Sequence, residues 1–247
     1  MMESYTVLAQ FYDLLTTDVP YLQWADYLEK QFSRHKTTIR TIAELGCGTG
    51  TLAAILAERG YQVTAVDLSP DMLSVAAEKC EGLGVQLVCQ DMSRLHLAEP
   101  TDAVICCLDS LNYVTRPALV QRTFTQVAAA LKPGGLFIFD VKTPLALESA
   151  DGQVYIDEND EVYCVWRGEY DKRRRICGYG IDLFFLQEDG SWCRDGEYHE
   201  EYAYTMDELT GWLNSAGFTS IKQFGNLRLS APRPDEERVF FIARKEL

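Results

Sequence analysis

Positive charge is scarce in this chain: 23 lysines and arginines stand against 37 aspartates and glutamates, a formal net charge of −14 over 247 residues. A polyanionic backbone is held by clustered cations, so the electrostatic footprint of a nucleic-acid partner is missing. The one basic run, DKRRR at Asp171 to Arg175, reads as a solvated turn between strands. Histidine is scarcer still, with three in the chain, and His96 and His199 lie too far apart to suggest a metal pair. Eight cysteines form no Cys-x-x-Cys pair and no metal-ligand set accompanies them, so no metal site is expected. Cys47, Cys106 and Cys107 read instead as small core or loop residues. A run of 18 apolar residues and a secretory leader are lacking, which points to a cytoplasmic chain with reduced thiols and no membrane contact. Repeats, low-complexity tracts and flexible linkers are not seen either.

What is present is enough for one core. A chain of this length buries roughly 70–75% of its unfolded surface on folding, and 47% hydrophobic residues supply the material. Apolar runs ending in turn signals, TIAELG and QVTAVDL, alternate with stretches of helical length and spacing, GTLAAILAERG and SPDMLSVAAEKCEGLG. VQLVCQDM, TDAVICC, a helix over about 116–131 and GGLFIFDV after the turn LKPGG continue the alternation. Strands joined by helical crossovers make a doubly wound α/β sheet, mostly parallel, with its ligand site beyond the carboxyl ends of the strands. From about Val154 to Tyr204 the pattern changes to alternating aromatic and charged residues, as in EVYCVWRGEY and GEYHEEYAY, which predicts an antiparallel β insert. Helical spacing resumes at Met206 to Ala216, with Thr205 and Glu208 as a capping box, and FTSIKQFG and ERVFFIARK close the pattern as strands. The expected organisation is a single domain over 1–247: a helical cap (1–35), an α/β core (36–150 and 205–247) and the insert (151–204).

The first βα turn carries glycine at every second position, Gly46, Gly48 and Gly50. A dinucleotide fingerprint would place its third glycine at position 51, which is Thr51. Glu44, Leu45, Gly46, Cys47, Gly48, Thr49, Gly50 instead resembles the E/D-x-G-x-G-x-G loop of class I S-adenosylmethionine-dependent methyltransferases. That resemblance implies a seven-stranded Rossmann-like methyltransferase sheet, S-adenosylmethionine as cofactor and S-adenosylhomocysteine as product. It covers about Ile42 to Val141 through ordered landmarks, TDAVICC and LKPGG among them, and the terminal strand extends it towards Ala243.

The implied cofactor residues follow position by position. Glu44, Gly46, Cys47, Gly48 and Gly50 form the loop. Asp67, with Leu68 beside it, ends the second strand, where a carboxylate accepts from both ribose hydroxyls. Asp91 and Met92, with Gln90, end the third, where the family's acidic side chain meets the adenine amino group and the next backbone N–H meets the ring. Cys107 follows the fourth. The segment Phe11, Tyr12, Asp13 resembles the N-terminal helix that lies across the cofactor in small bacterial methyltransferases, so Tyr12 and Tyr5 are expected at the sulfonium end, where aromatic faces suit a cation.

Asp109 and Tyr113, with Asn112, stand after the fourth strand and are the candidates for the acceptor side, Asp109 as a group that orients or deprotonates. Amino-methylating members of the resembled family carry an N/D-P-P-Y-type motif here, which this chain lacks, so the resemblance does not imply an amide or base nitrogen as acceptor. The acidic balance favours a small-molecule methyl acceptor, with selectivity expected in the insert aromatics such as Tyr155, Trp166 and Tyr179. His199 in that insert is a further candidate to face substrate. The insert is also a candidate homodimer face if the chain is not a monomer. Two other readings remain open here: an NAD(P)-dependent oxidoreductase, and a non-catalytic cofactor-binding scaffold.

Overall fold

Runs of short apolar residues become buried strands, and the polar caps and glycines between them mark where helices start and stop. The computed structural model describes residues 7–246. Two helices lead, α1 (Val7–Leu15) and α2 (Tyr21–Ser33), followed by β1 (Thr41–Leu45), α3 (Thr51–Glu58), β2 (Gln62–Asp67), α4 (Pro70–Lys79) and β3 (Gln86–Cys89). A 3-10 turn (Met92–Arg94) leads to β4 (Thr101–Cys106), α5 (Pro117–Ala130) and β5 (Leu131–Lys142). After α6 (Pro144–Ser149) come β6 (Val154–Glu158), β7 (Val162–Asp171), β8 (Ile176–Leu186) and β9 (Trp192–Tyr202), and the chain ends with α7 (Met206–Ser215), β10 (Phe218–Gly225) and β11 (Arg238–Lys245).

Seven strands form one sheet in the order β10-β11-β5-β4-β1-β2-β3. β11 runs antiparallel to both of its neighbours, whereas the β1, β2, β3, β4 and β5 pairings are parallel. The chain winds outward from β1 to β3, returns to β4 and winds the other way, so the switch point lies between β1 and β4, where a ligand crevice belongs. The remaining strands make a separate antiparallel sheet, β6-β7-β8-β9, where the alternating insert pattern predicts it. The predicted capping box forms: Thr205 Oγ1 accepts from the Glu208 N–H at 3.3 Å, and Glu208 accepts from the Thr205 N–H at 2.9 Å.

Each face of the large sheet buries its own layer. On one side Trp24 and Tyr27 of α2 meet Phe240 with ring centroids 5.0 and 4.5 Å apart. On the other, Phe124 of α5 packs on Phe137 and Phe139, and Phe139 stacks on Phe241 at 4.9 Å. A third cluster, with Leu8 of α1, Leu147 of α6 and Val162, Cys164, Ile181 and Leu183 of the insert, joins the small sheet to the cap. LKPGG differs from its expected form: it lies within β5, where Thr101 opposes Leu131 but Ala103 opposes Leu136. The turn residues thus fold as a bulge, with Gly134 at φ +75° absorbing the extra length.

Candidate active site

β1 ends at Leu45 and the chain turns through the glycine loop before α3. The Gly46 and Cys47 amides both donate to the Val66 carbonyl, at 2.8 and 3.1 Å, which ties the loop to β2. Gly46 sits at φ +67°, and a Cβ there would meet Ser110 at 2.7 Å, so backbone conformation and space both demand glycine. Gly50, at φ +75°, has a different role: a Cβ would meet Ala76 of α4 at 2.9 Å, so this glycine sets the approach of α4 to the loop. Gly50 does not border the cavity described next.

A cavity of about 740 Å³ opens around the loop at the carboxyl ends of the strands, within the roughly 300–1,000 Å³ typical of small-molecule sites. From β1 and the loop it is lined by Glu44, Gly46, Cys47 and Gly48; from beyond β2 by Asp67 and Leu68; from beyond β3 by Gln90, Asp91 and Met92; and from beyond β4 by Cys107 and Tyr113. Tyr12 of α1 also borders it. Tyr5 lies outside the described residues.

The carboxylates differ in what they already hold. Glu44 is 3% exposed, its Oε2 has no hydrogen-bond partner, and burial next to the Asp67 charge pushes it up to about 8. Asp67 accepts from the Gly48 N–H at 2.8 Å and the Ser69 N–H at 2.9 Å, one on each oxygen. Burial raises its pKa while those backbone donors pull it back. Asp91 accepts from the Ser93 N–H at 2.8 Å as the cap of the 3-10 turn, and Gln90 accepts from the His96 N–H at 2.9 Å. Leu68 stands at the rim, 67% exposed. An exposed leucine at the rim of the cavity offers one face for a flat ring.

Helix α1 borders the cavity through Tyr12 and is fastened at both sides. Thr49 Oγ1 donates to Asp13 Oδ1 at 2.7 Å, and Lys79 Nζ reaches Asp13 at 2.6 Å, Thr49 at 3.0 Å and Thr51 at 2.6 Å. Towards the insert, the Leu8 N–H donates to Glu197 at 3.1 Å and Phe11 packs on Phe185 at 4.9 Å. The latch joins residues 28 and more apart in sequence, and Lys79 reads from the sequence alone as an ordinary cation in the last turn of a helix. We expect Lys79→Met to raise amide exchange along α1 by about threefold to tenfold while global stability changes by less than about 1 kcal/mol, since the pair is partly solvated. Hydrogen–deuterium exchange with a denaturant titration measures both.

Asp109 departs from its expected place. Its carboxylate does not border the cavity; it lies in a buried cluster, 3.0 Å from Lys142 and 2.6 Å from Arg238. Leu108 and Asp109 both adopt positive φ, at 59° and 52°, and their amides donate to Asp140 at 2.7 and 3.0 Å. That turn carries the Asp109 side chain into the cluster. Lys142 also pairs with Glu201 at 2.9 Å, and Arg238 with Asp140. The two cations hold Asp109 well below the usual carboxylate range, whereas burial pushes Asp140 up to about 6 and Glu201 up to about 7. Tyr113 does line the cavity. His199 does not; it is fully buried, 2.8 Å from Glu197, with its ring edge-on to Tyr113 and Trp166. The sequence reading missed Tyr21, Tyr198 and Glu200 of the lining, because tertiary packing rather than any motif brings them there, and it passed over Ser110, which follows Asp109 in the stretch after β4. Among the described residues no group of three or more His, Cys, Asp or Glu is placed to hold a metal ion.

Comparison with known proteins places the chain in a family. A family model for a methyltransferase domain matches residues 42–135. A protein of Geobacillus sp. (strain WCH70), provisionally named a methyltransferase, is 31% identical over 246 residues, covering 98% of this chain and 100% of its own. The crystal structure of an S-adenosylmethionine-dependent methyltransferase from Clostridium acetobutylicum superposes with a TM-score of 0.87 at 28% identity, covering 99% of this chain and 100% of that one. An amino pentose methyltransferase from Micromonospora echinaspora, solved with S-adenosylmethionine bound, superposes at 0.77 over 99% of both chains. At 21% identity that likeness speaks for the shared fold alone. The nicotinamide and scaffold alternatives thereby fall away, and the chain belongs to the class I S-adenosylmethionine-dependent methyltransferases.

Proposed function

We propose that the enzyme methylates a small molecule held beside α1, and that the glycine-loop cavity is its cofactor site. The observation that carries the cofactor placement is the orphaned Glu44 oxygen. A buried carboxylate without a partner is costly, and the α-ammonium of a methionine moiety would satisfy it. Asp67 has spare acceptor capacity on both oxygens for a ribose diol, since each carboxylate oxygen takes more than one donor. Asp91 then faces the adenine amino group, the Met92 amide the ring, and Leu68 covers the ring from the rim. When bound, S-adenosylmethionine supplies a methyl group already activated on a sulfonium, for in-line transfer to a lone pair of the acceptor.

The residues of this chain bind, orient and exclude water. Tyr12 and Tyr113 frame the side facing the acceptor, where phenol rings suit a sulfonium. Fixing two reactants in register can account for about 7–11 kcal/mol of barrier lowering, so no nucleophile of the protein is needed. Asp109, clamped between Lys142 and Arg238, acts in this reading by holding the loop that carries Tyr113 rather than by taking a proton. Helix α1 supports a small acceptor, because it is tied to the glycine loop on one side and to the insert on the other. The net charge of −14 turns nucleic acid away, and eight cysteines without a disulfide suit the cytoplasm.

Two measurements test the reading. Calorimetry with S-adenosylhomocysteine is expected to give one saturable site, weakened more than about tenfold by Asp67→Ala, as befits a charge-assisted hydrogen bond of roughly 1.5–3 kcal/mol; an unchanged affinity removes Asp67 from the ribose. Incubation with methyl-labelled cofactor and a cell extract is expected to place label in the low-mass fraction, and label confined to protein or nucleic acid rejects the small acceptor.

A further inference from the structure

A second cavity, of about 680 Å³, lies between α6, the β6–β8 side of the small sheet and the segment that precedes β11. Three aromatic rings, Tyr155, Trp166 and Tyr179, form part of its wall. Four carboxylates, Asp157, Asp235, Glu236 and Glu237, form another. Glu236 is matched by Arg228; among the described residues the other three make no ion pair. Burial and the nearby Asp18 carboxylate raise Asp157 above its usual range, against a hydrogen bond from the Trp166 side chain that lowers it.

Two cations also border the space, Lys142 and Arg238, and taken alone they would favour an anionic ligand. Their charge is already spent. Lys142 is paired with Asp109 and Glu201, and Arg238 with Asp109 and Asp140. Three buried carboxylates share two cations, so the cluster adds no positive excess to the wall.

We infer that this second cavity binds a protonated amine carried on a small body with an apolar face, at a site separate from the glycine-loop cavity. The amine meets the unmatched carboxylates, and the apolar face lies on Tyr155 and Trp166, since the Tyr179 ring already faces Lys142 Nζ at 5.4 Å. The inference does not depend on where the methyl group goes.

The test uses three probes of one shape, phenethylamine, phenethyl alcohol and phenylacetate, titrated at low ionic strength and followed by ligand-observed NMR. The amine is expected to bind saturably and at least about tenfold tighter than the alcohol, with the acid weaker still. Saturating S-adenosylhomocysteine should leave the amine bound. The double variant Asp157→Asn, Glu237→Gln changes two exposed carboxylates without altering side-chain shape, and should remove most of the preference for the amine; Tyr155→Ala should weaken amine and alcohol together. Equal binding of amine and acid, displacement of the amine by S-adenosylhomocysteine, or an unchanged affinity in the double variant overturns the inference. Failure of S-adenosylhomocysteine itself to bind would sink the cofactor-site assignment and leave the amine result standing.

Discussion

Replacing Arg238 by methionine is expected to lower stability by about 3–5 kcal/mol, the range for removing one partner of a buried ion pair. The guanidinium pairs with Asp109 at 2.6 Å and with Asp140, and it lies 5.5 Å from the centre of the Trp24 ring. Without it Asp109 keeps Lys142, but Asp140, fully buried, keeps only the Leu108 and Asp109 amides. The loss should depend on pH with a definite sign. Asp140 is already raised from 3.8 to about 6, so between those values the folded protein holds a proton that the unfolded chain has released, and stability falls as pH rises. In the variant the folded pKa moves higher and the fall continues past pH 6. The gap between the two proteins should therefore widen from pH 5 to pH 7.5 in urea titrations. A constant gap would mean that the damage is lost packing on Trp24 rather than an uncompensated Asp140.

The contrast between Asp67 and Asp109 marks what could be read in the sequence. Asp67, Asp91 and the glycine loop sit at strand ends in chain order, and strand order fixes their common edge; local pattern was enough to bring them to one cavity. Asp109 has the same kind of address, yet two left-handed residues turn its carboxylate inward towards Lys142 and Arg238, which are 33 and 129 residues further along. The left-handed conformation of Leu108 has no signature in residue type, and an aspartate at position 109 is a weaker signal than glycine would be. The latch of Asp13 on Lys79 and Thr49 was hidden in the same way, because each of its members has an ordinary local explanation. The alternation of the insert predicted an antiparallel sheet, but not that one end of it would wall a second cavity. LKPGG shows the reverse: turn chemistry was legible, and the sheet absorbed it as a bulge.

The second large effect is expected at Glu44. In the empty protein its carboxyl group is raised from 4.5 to about 8 by burial beside Asp67, so at pH 7 it carries a proton. An ammonium needs the ionised form, and binding S-adenosylhomocysteine should therefore expel close to one proton per site at pH 7. Calorimetry in buffers of different ionisation enthalpy reads that number directly. By linkage the affinity should climb by up to about tenfold per pH unit as pH rises from about 6 towards 8. It should fall again at still higher pH as the ligand's α-ammonium loses its own charge. Stability of the empty protein should run the other way, falling as pH rises from about 4.5 to 8, because in that window the folded state alone keeps the Glu44 proton. The ligand thus stabilises most where the empty protein is weakest. Glu44→Gln is isosteric and neutral, so it should abolish the proton release and flatten the pH profile. It should cost more than about tenfold in affinity at pH 8, while changing it far less at pH 6, where the wild-type carboxyl group is itself protonated. Proton release that persists in the glutamine variant would assign it to another group and return Glu44 to a purely structural place beneath the loop.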